Sequence, residues 1–298
     1  MLAGKAGKEP SLLCDNIIKC GHTHTVTGTG TGKKKLTLFQ DLVCYESLDN
    51  ADCAITVSGE DAELDCNDFM ITPTRDQETS GSWKYGICVS NGAKVMNCPV
   101  QRFGVRSAGA GIRIENGGEI EDSEVMFNVN HGILVEGSED STTKISDTFV
   151  HDNEGTGIRF EGETGTDESS IQIEGVRSIN NSYGMRFCRY NGGGMEFGNS
   201  YLEEGEMKVK GVVNLYKNEN YGLGMGSFTA VNVVVDKRGA LNSCSNDQGL
   251  DLEDIYNDGS GTFSGDGYTC GTGGNSGTGS SIGANLPVCE ACPSCPSE

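Results

Sequence analysis

Proline, basic side chains and long apolar stretches are what this chain has least of. Six prolines in 298 residues leave nearly every backbone donor free for a strand ladder, which proline would interrupt. No apolar run approaches the ~18 residues that a membrane-spanning helix requires, so no such span is expected. Lysine and arginine total 22 against 43 acidic residues, a formal charge of −21. A surface this acidic repels phosphate backbones and anionic lipid, which disfavours nucleic acid and membrane surfaces as partners. Also missing is any stretch with helical periodicity long enough to cross over between parallel strands, which excludes helical solenoids and an ordinary βαβ sheet.

What the chain does have is a recurring phrase: apolar-x-polar-x-x-apolar, then Asn, then Gly-apolar-x-apolar. Its clearest copies run 120–135 (IEDSEVMFNVNHGILV), 145–160 (ISDTFVHDNEGTGIRF) and 173–187 (IEGVRSINNSYGMRF). The glycines that open the second half are Gly86, Gly111, Gly132, Gly157, Gly184, Gly222 and Gly249. Recurrence at this interval means a stacked array in which each unit buries its apolar face on its neighbours. After each glycine the chain alternates with period two, as in Gly111-Ile112-Arg113-Ile114 and Gly157-Ile158-Arg159-Phe160, the pattern of a short strand. Forty-four glycines suit a path that bends several times per turn.

A coil of short parallel strands results, and the repeat resembles that of right-handed parallel β-helix proteins of the pectin-lyase-like superfamily. The resemblance covers residues 53–270. It implies an all-β solenoid of roughly nine turns, a rod on the order of 45 Å at ~4.8 Å per strand layer, and it leaves the activity open, because the fold hosts many functions. Residues 1–10 read as a disordered leader without the apolar core of a signal peptide. Residues 11–52 read as an N-terminal cap with the first strands, and 271–298 as a Gly/Ser-rich flexible tail carrying Cys289, Cys292 and Cys295. Thirteen cysteines point to an oxidising compartment and a secreted or cell-surface protein. Close pairs such as Cys14/Cys20, Cys44/Cys53, Cys88/Cys98 and Cys244/Cys270 suggest disulfides, although connectivity does not follow from sequence. Two departures from the regular spacing, 73–84 with the only tryptophan, Trp83, and 189–204, are candidate walls of a binding face.

Aligned on the glycines, the turns separate into faces. Residues one and three after each glycine are apolar and point inward. The residue two after gives an outward column Cys88, Arg113, Leu134, Arg159, Arg186, and the residue four after gives Ser90, Glu115, Glu136, Glu161. Such rows compensate one another as an ion-pair ladder. As a glycan-binding face, the arginines would grip carboxylate or sulfate, and the glutamates would accept sugar hydroxyls or hold a divalent ion such as calcium. The residue before each glycine adds Tyr85, His131 and Tyr183, of which His131 and Tyr183 complete the candidate glycan-contacting set. A fourth series, Asn128, Asn153, Asn180 and Asn218, reads as a stacked asparagine ladder. Asn180-Asn181-Ser182 also spells a glycosylation acceptor, poorly accessible if Asn180 is a rung.

Two enzyme motifs are incomplete. Asn130-His131-Gly132 resembles the His-Gly segment of polygalacturonase-type hydrolases, but the Asn-Thr-Asp and Asp-Asp strings that supply their acid and base do not occur, and glycoside hydrolysis needs that carboxylate pair. His151-Asp152-Asn153-Glu154 shares letters with an alginate-epimerase motif in the wrong order. The leading reading is therefore a secreted or surface β-helix that interacts with polysaccharide or matrix glycan. The alternatives are a lyase or epimerase acting on uronate-containing glycans, with Arg or calcium neutralising the uronate, and a self-associating wall or adhesion rod.

Overall fold

A computed structural model describes residues 24–27, 34–44, 52–74, 83–104, 109–137, 141–162, 170–181, 185–186, 194–197, 205–216, 218, 222–225, 231–238, 240–244, 255–257, 263–264, 268–270, 275–276 and 290–291. The strands fall into three parallel sheets of eleven, nine and ten strands, here called A, B and C. The chain visits A, then B, then C, and returns to A one layer further on. This is the parallel β-helix that the repeat implies.

Five consecutive turns are regular. They begin with Cys53–Ser58, Ala62–Asp65 and Ile71–Pro73 and end with Ile158–Gly162, Ser170–Glu174 and Arg177–Ile179. The expectation of roughly nine turns counted more regular coil than this. After residue 181 the order breaks, because Gly194–Phe197 and Met185–Arg186 both enter sheet A, with Gly194–Phe197 next to Ile158–Gly162. Strands nearer the start continue the same sheets: His24–Thr27 pairs with Cys53–Ser58, and Lys34–Thr37 with Ala62–Asp65. Towards the end, Asn275–Ser276 and Glu290–Ala291 also pair in parallel with the coil. The leader and residues 11–23 of the N-terminal cap lie outside the described residues, as do Cys289, Cys292 and Cys295.

The interior follows from the period-two phrases. Ile87, Val89, Ile112, Ile114, Ile133, Val135, Ile158 and Phe160 are all buried in one continuous core with the inward residues of the other two sheets. Trp83 is also there, 1% exposed. It is therefore part of the core, while residues 75–82 of the same interruption lie outside the described residues. In five successive layers the corner joining sheets B and C takes two residues: Asn97-Cys98, Asp122-Ser123, Asp147-Thr148, Gly175-Val176 and Lys210-Gly211. Asn97, Asp122 and Asp147 have φ of 53°, 46° and 47° and Gly175 has 65°, a left-handed conformation that Asn, Asp and Gly adopt most readily. Ser123 and Thr148 follow, and their hydroxyls donate to Glu121 O and Ser146 O at 2.8 and 2.7 Å.

The corner returning from sheet C to sheet A holds the asparagine ladder. Its rungs are Asn128, Asn153, Asn181 and Asn218, each at most 1% exposed. Asn128 Nδ2 donates to Asn153 Oδ1 at 2.8 Å, Asn153 Nδ2 to Asn181 Oδ1 at 2.8 Å, and Asn181 Nδ2 to Asn218 Oδ1 at 3.2 Å. The third rung is thus Asn181 and not Asn180. Asn180 belongs to an outer column with Arg102, Phe127 and Asp152, all at positive φ. The ladder also explains the phrase's glycine. A Cβ at Gly132 would sit 2.8 Å from Asn153 Nδ2 and 2.6 Å from Gly157 O, so the requirement here is close approach, with no positive φ involved.

Disulfides link successive turns. Cys53 pairs with Cys88 and Cys66 with Cys98, with Cα atoms 5.9 and 4.8 Å apart. The sequence-neighbour pairs Cys44/Cys53 and Cys88/Cys98 are corrected accordingly: one full turn separates the partners, and stacking brings them together. Cys44 is buried. Cys14 and Cys20 lie outside the described residues, and the backbones of Cys244 and Cys270 lie on adjacent strands of sheet C.

Candidate functional site

The outward side of sheet A carries the columns read from the sequence. Strand register places Thr56, Cys88, Arg113, Leu134 and Arg159 in one row and Ser58, Ser90, Glu115, Glu136 and Glu161 in the next. Cys53, Tyr85, Ala110 and His131 form a third row. Neighbouring rungs stand ~4.8 Å apart, the spacing of hydrogen-bonded strands.

Between the charges runs an apolar strip. Tyr85, Cys88, Ala110 and Leu134 form a buried cluster of their own with Cys53 packed against it, separate from the interior core. The Arg113 guanidinium lies 4.9 Å from the centre of the Tyr85 ring, and Lys84 Nζ lies 5.2 Å from it. A cation over an aromatic face contributes on the order of 0.5–1 kcal/mol at a partly exposed site. Burial pushes the Tyr85 hydroxyl above the ordinary phenol range, and the two neighbouring cations only partly oppose this.

Both described arginines of the row are paired. Arg113 Nε bonds to Glu136 Oε2, and its Nη2 reaches Glu115 Oε1 at 2.5 Å. Arg159 Nε meets Glu161 Oε1 at 2.6 Å, and its Nη1 is 3.3 Å from His131 Nε2. His131 is buried, and its Nδ1 accepts the Thr156 N–H at 3.3 Å. Burial raises the Glu136 carboxyl above its ordinary value. The bond from Arg113 opposes that rise, and the charges of Glu115 and Glu161 add to it. Burial depresses the Arg113 guanidinium, but the Glu136 bond and the nearby carboxylates outweigh it, so its pKa is higher still than usual. A group in that state holds its proton and does not serve as a base.

Of the eight candidate residues, the structure brings six together: Arg113, Arg159, Glu115, Glu136, Glu161 and His131. It does not put Arg186 next to Arg159. Arg159 registers with Glu196, while Arg186 registers with Met195. Tyr183 lies outside the described residues. Sequence reasoning placed Tyr85 in the right column but missed that Arg113 stacks on it. The signal was available, since Tyr85 stands one layer from Arg113 and three residues aside along the strand.

Calcium requires several oxygen ligands converging on one point. Among the described residues no three His, Cys, Asp or Glu side chains are grouped to hold a metal ion, and the three glutamates here are turned towards arginines. The described residues do not fit a metal centre.

Sheet B has a different charged face. Its outward row reads Lys35, Glu63, Lys94, Glu119, Lys144, Gln172, Lys208. Lys35 bonds to Glu63 and Asp65 at 2.8 and 2.9 Å, and Lys94 pairs with Glu121. On sheet C, His151 is held between Glu124 and Asp152 at 3.0 and 2.6 Å and stacks on Phe149 with ring centres 4.1 Å apart.

No protein-family model matches the chain, and no curated protein matches it. Among solved structures, the crystal structure of the pectate lyase Pel9A aligns over 88% of this chain and 71% of that one, at 15% identity and a TM-score of 0.36. Similarity at that level carries no argument about chemistry, and the fold stands on the strand topology itself. No helix among the described residues is long and apolar enough to cross a membrane.

Proposed function

We propose that this protein is an extracellular β-helix module that binds polysaccharide along the outer face of sheet A. One observation carries the reading: paired guanidinium and carboxylate rows lie beside Tyr85 and His131 and repeat at the strand spacing. Arginine N–H groups and glutamate oxygens offer donors and acceptors side by side, which is what the vicinal hydroxyls of a sugar chain need. The pairing also narrows the ligand. Three glutamates face two arginines here, so a polyanion would have to displace Glu115 or Glu161 before reaching a guanidinium. A chain rich in free hydroxyls fits the face better than a densely charged one. The extracellular part of the reading is supported by two disulfides joining successive turns, which reducing compartments do not maintain.

The test is retention of the full chain on immobilised glycans, neutral and anionic, comparing the natural protein with an Arg113→Ala/Arg159→Ala variant. Arg-dependent retention is expected, weakened about tenfold or more in the variant, equivalent to ~1.4 kcal/mol. The melting temperature should move little, because partly exposed ion pairs contribute under about 1 kcal/mol each. Release of unsaturated uronate from alginate or pectate, followed by ultraviolet absorbance, would replace binding with lyase activity. Neither retention nor product across the panel would leave a structural rod.

A further inference from the structure

The chain contains one Asn-x-Ser/Thr triplet, Asn180-Asn181-Ser182. The register decides which of its two asparagines is built into the coil. Asn181 is the ladder rung: it is 0% exposed, its Nδ2 donates to Val150 O at 3.2 Å and to Asn218 Oδ1, and its Oδ1 accepts from Asn153. Asn180, the acceptor position of the triplet, faces solvent. Its φ of 53° turns it out of the coil at the same corner as Asp152 and Phe127, and its Nδ2 donates to Asp152 Oδ1.

We infer that Asn180 is an acceptor for an N-linked oligosaccharide. The inference shares with the reading above only the secretory route and is independent of any glycan-binding face. In the transfer, Asn180 Nδ2 attacks the anomeric carbon of a lipid-pyrophosphate-linked oligosaccharide. A C–N bond forms, the anomeric C–O bond breaks, the lipid pyrophosphate leaves with the electron pair, and the amide proton passes to a base of the transferase. The product amide keeps one N–H, so the bond to Asp152 is compatible with modification. The middle residue is Asn rather than Pro, which the acceptor triplet requires. Had Asn180 been the rung, a glycan there would have broken a buried hydrogen-bond chain. With Asn181 in that place, the oligosaccharide projects from the rod. Phe127, 48% exposed in the same outer column, offers an apolar surface on that side.

The experiment expresses the full chain behind a cleavable secretion signal in cultured eukaryotic cells and reads intact mass before and after peptide N-glycosidase. The natural sequence should carry one core oligosaccharide. Asn180→Gln and Ser182→Ala should each abolish it without altering the melting temperature. Asn181→Gln keeps a valid triplet, so its chains should retain the sugar while melting lower. A Gly277→Thr variant, which completes a second acceptor triplet starting at Asn275, reports that the chain has met the transferase. If that variant is modified at Asn275 while Asn180 stays bare, the proposal is overturned. A sugar at Asn180 accompanied by loss of the native melt would overturn it equally.

Discussion

Asn153 shows how much one side chain does in this coil. Its Oδ1 accepts from both the backbone N–H and the side-chain amide of Asn128, and its Nδ2 donates to Val125 O, His151 O and Asn181 Oδ1. Asn153 and Asn128 themselves are shut off from water. Replacing Asn153 with Ala leaves the backbone and side-chain donors of Asn128 without their acceptor. Each buried orphan costs ~1–3 kcal/mol, so a loss of about 3 kcal/mol or more is expected in chemical denaturation. The matching change at exposed Asn180 should stay within about 0.5 kcal/mol. An Asn153→Ala protein as stable as the natural one would mean the ladder is ornamental. The sequence displayed this ladder as a spaced series of asparagines, yet put Asn180 on it. Two asparagines adjoin there, and only the left-handed residue shared with Phe127 and Asp152 decides which of them turns inward.

At the level of strands, the two charged faces titrate in opposite senses. The hydrogen bond from Lys94 lowers the Glu121 carboxyl below its ordinary value, against a smaller effect of burial. Glu121 therefore adds stability above the unfolded carboxylate pKa, and the contribution is lost as pH falls towards its folded value. Burial raises Glu136. Between the unfolded value and that raised folded value the native state holds the extra proton, so stability from this group falls as pH rises. Between about pH 3 and about pH 6, the range that spans ordinary carboxylates, the natural protein's advantage over Glu121→Gln should grow. Its advantage over Glu136→Gln should shrink. Parallel pH profiles for both variants, measured by denaturation midpoint, would contradict this account. The alternation that exposes Arg113 and buries Ile112 was legible because it is local, with period two inside one strand. The neighbour of Arg159 was not, because counting from glycine to glycine passes over Gly194–Phe197, a strand from the 189–204 interruption that takes the layer next to Ile158–Gly162. The disulfide partners escaped for a related reason. Cys53 and Cys88 are 35 residues apart in sequence, and only the turn length makes them neighbours.

A solenoid holds together through contacts between adjacent layers, so its stability is distributed and its ends loosen first. Here Cys53–Cys88 and Cys66–Cys98 clamp two successive turns near the start, closing loops with sequence separations of 35 and 32. Loops of that length correspond to ~3–4 kcal/mol each in the chain-entropy account. Replacing Cys66 and Cys98 together by Ala should lower stability by about that amount. In hydrogen exchange, protection should be lost first in Ala62–Asp65 and Lys94–Met96, and later in Thr142–Ser146. Uniform loss along the chain would show that the whole rod unfolds as one unit. The corner between sheets B and C has a further consequence. It spends two residues at five successive layers, while the connection from sheet A to sheet B ranges from 116–117 to 163–169. Through these layers one edge of the rod therefore keeps time while another takes up changes in length. Foreign sequence spliced between residues 162 and 170 would hang from that accommodating edge like a pendant. The spacing of Arg113, Glu136 and Arg159 would keep its beat, because the corner that sets it lies elsewhere.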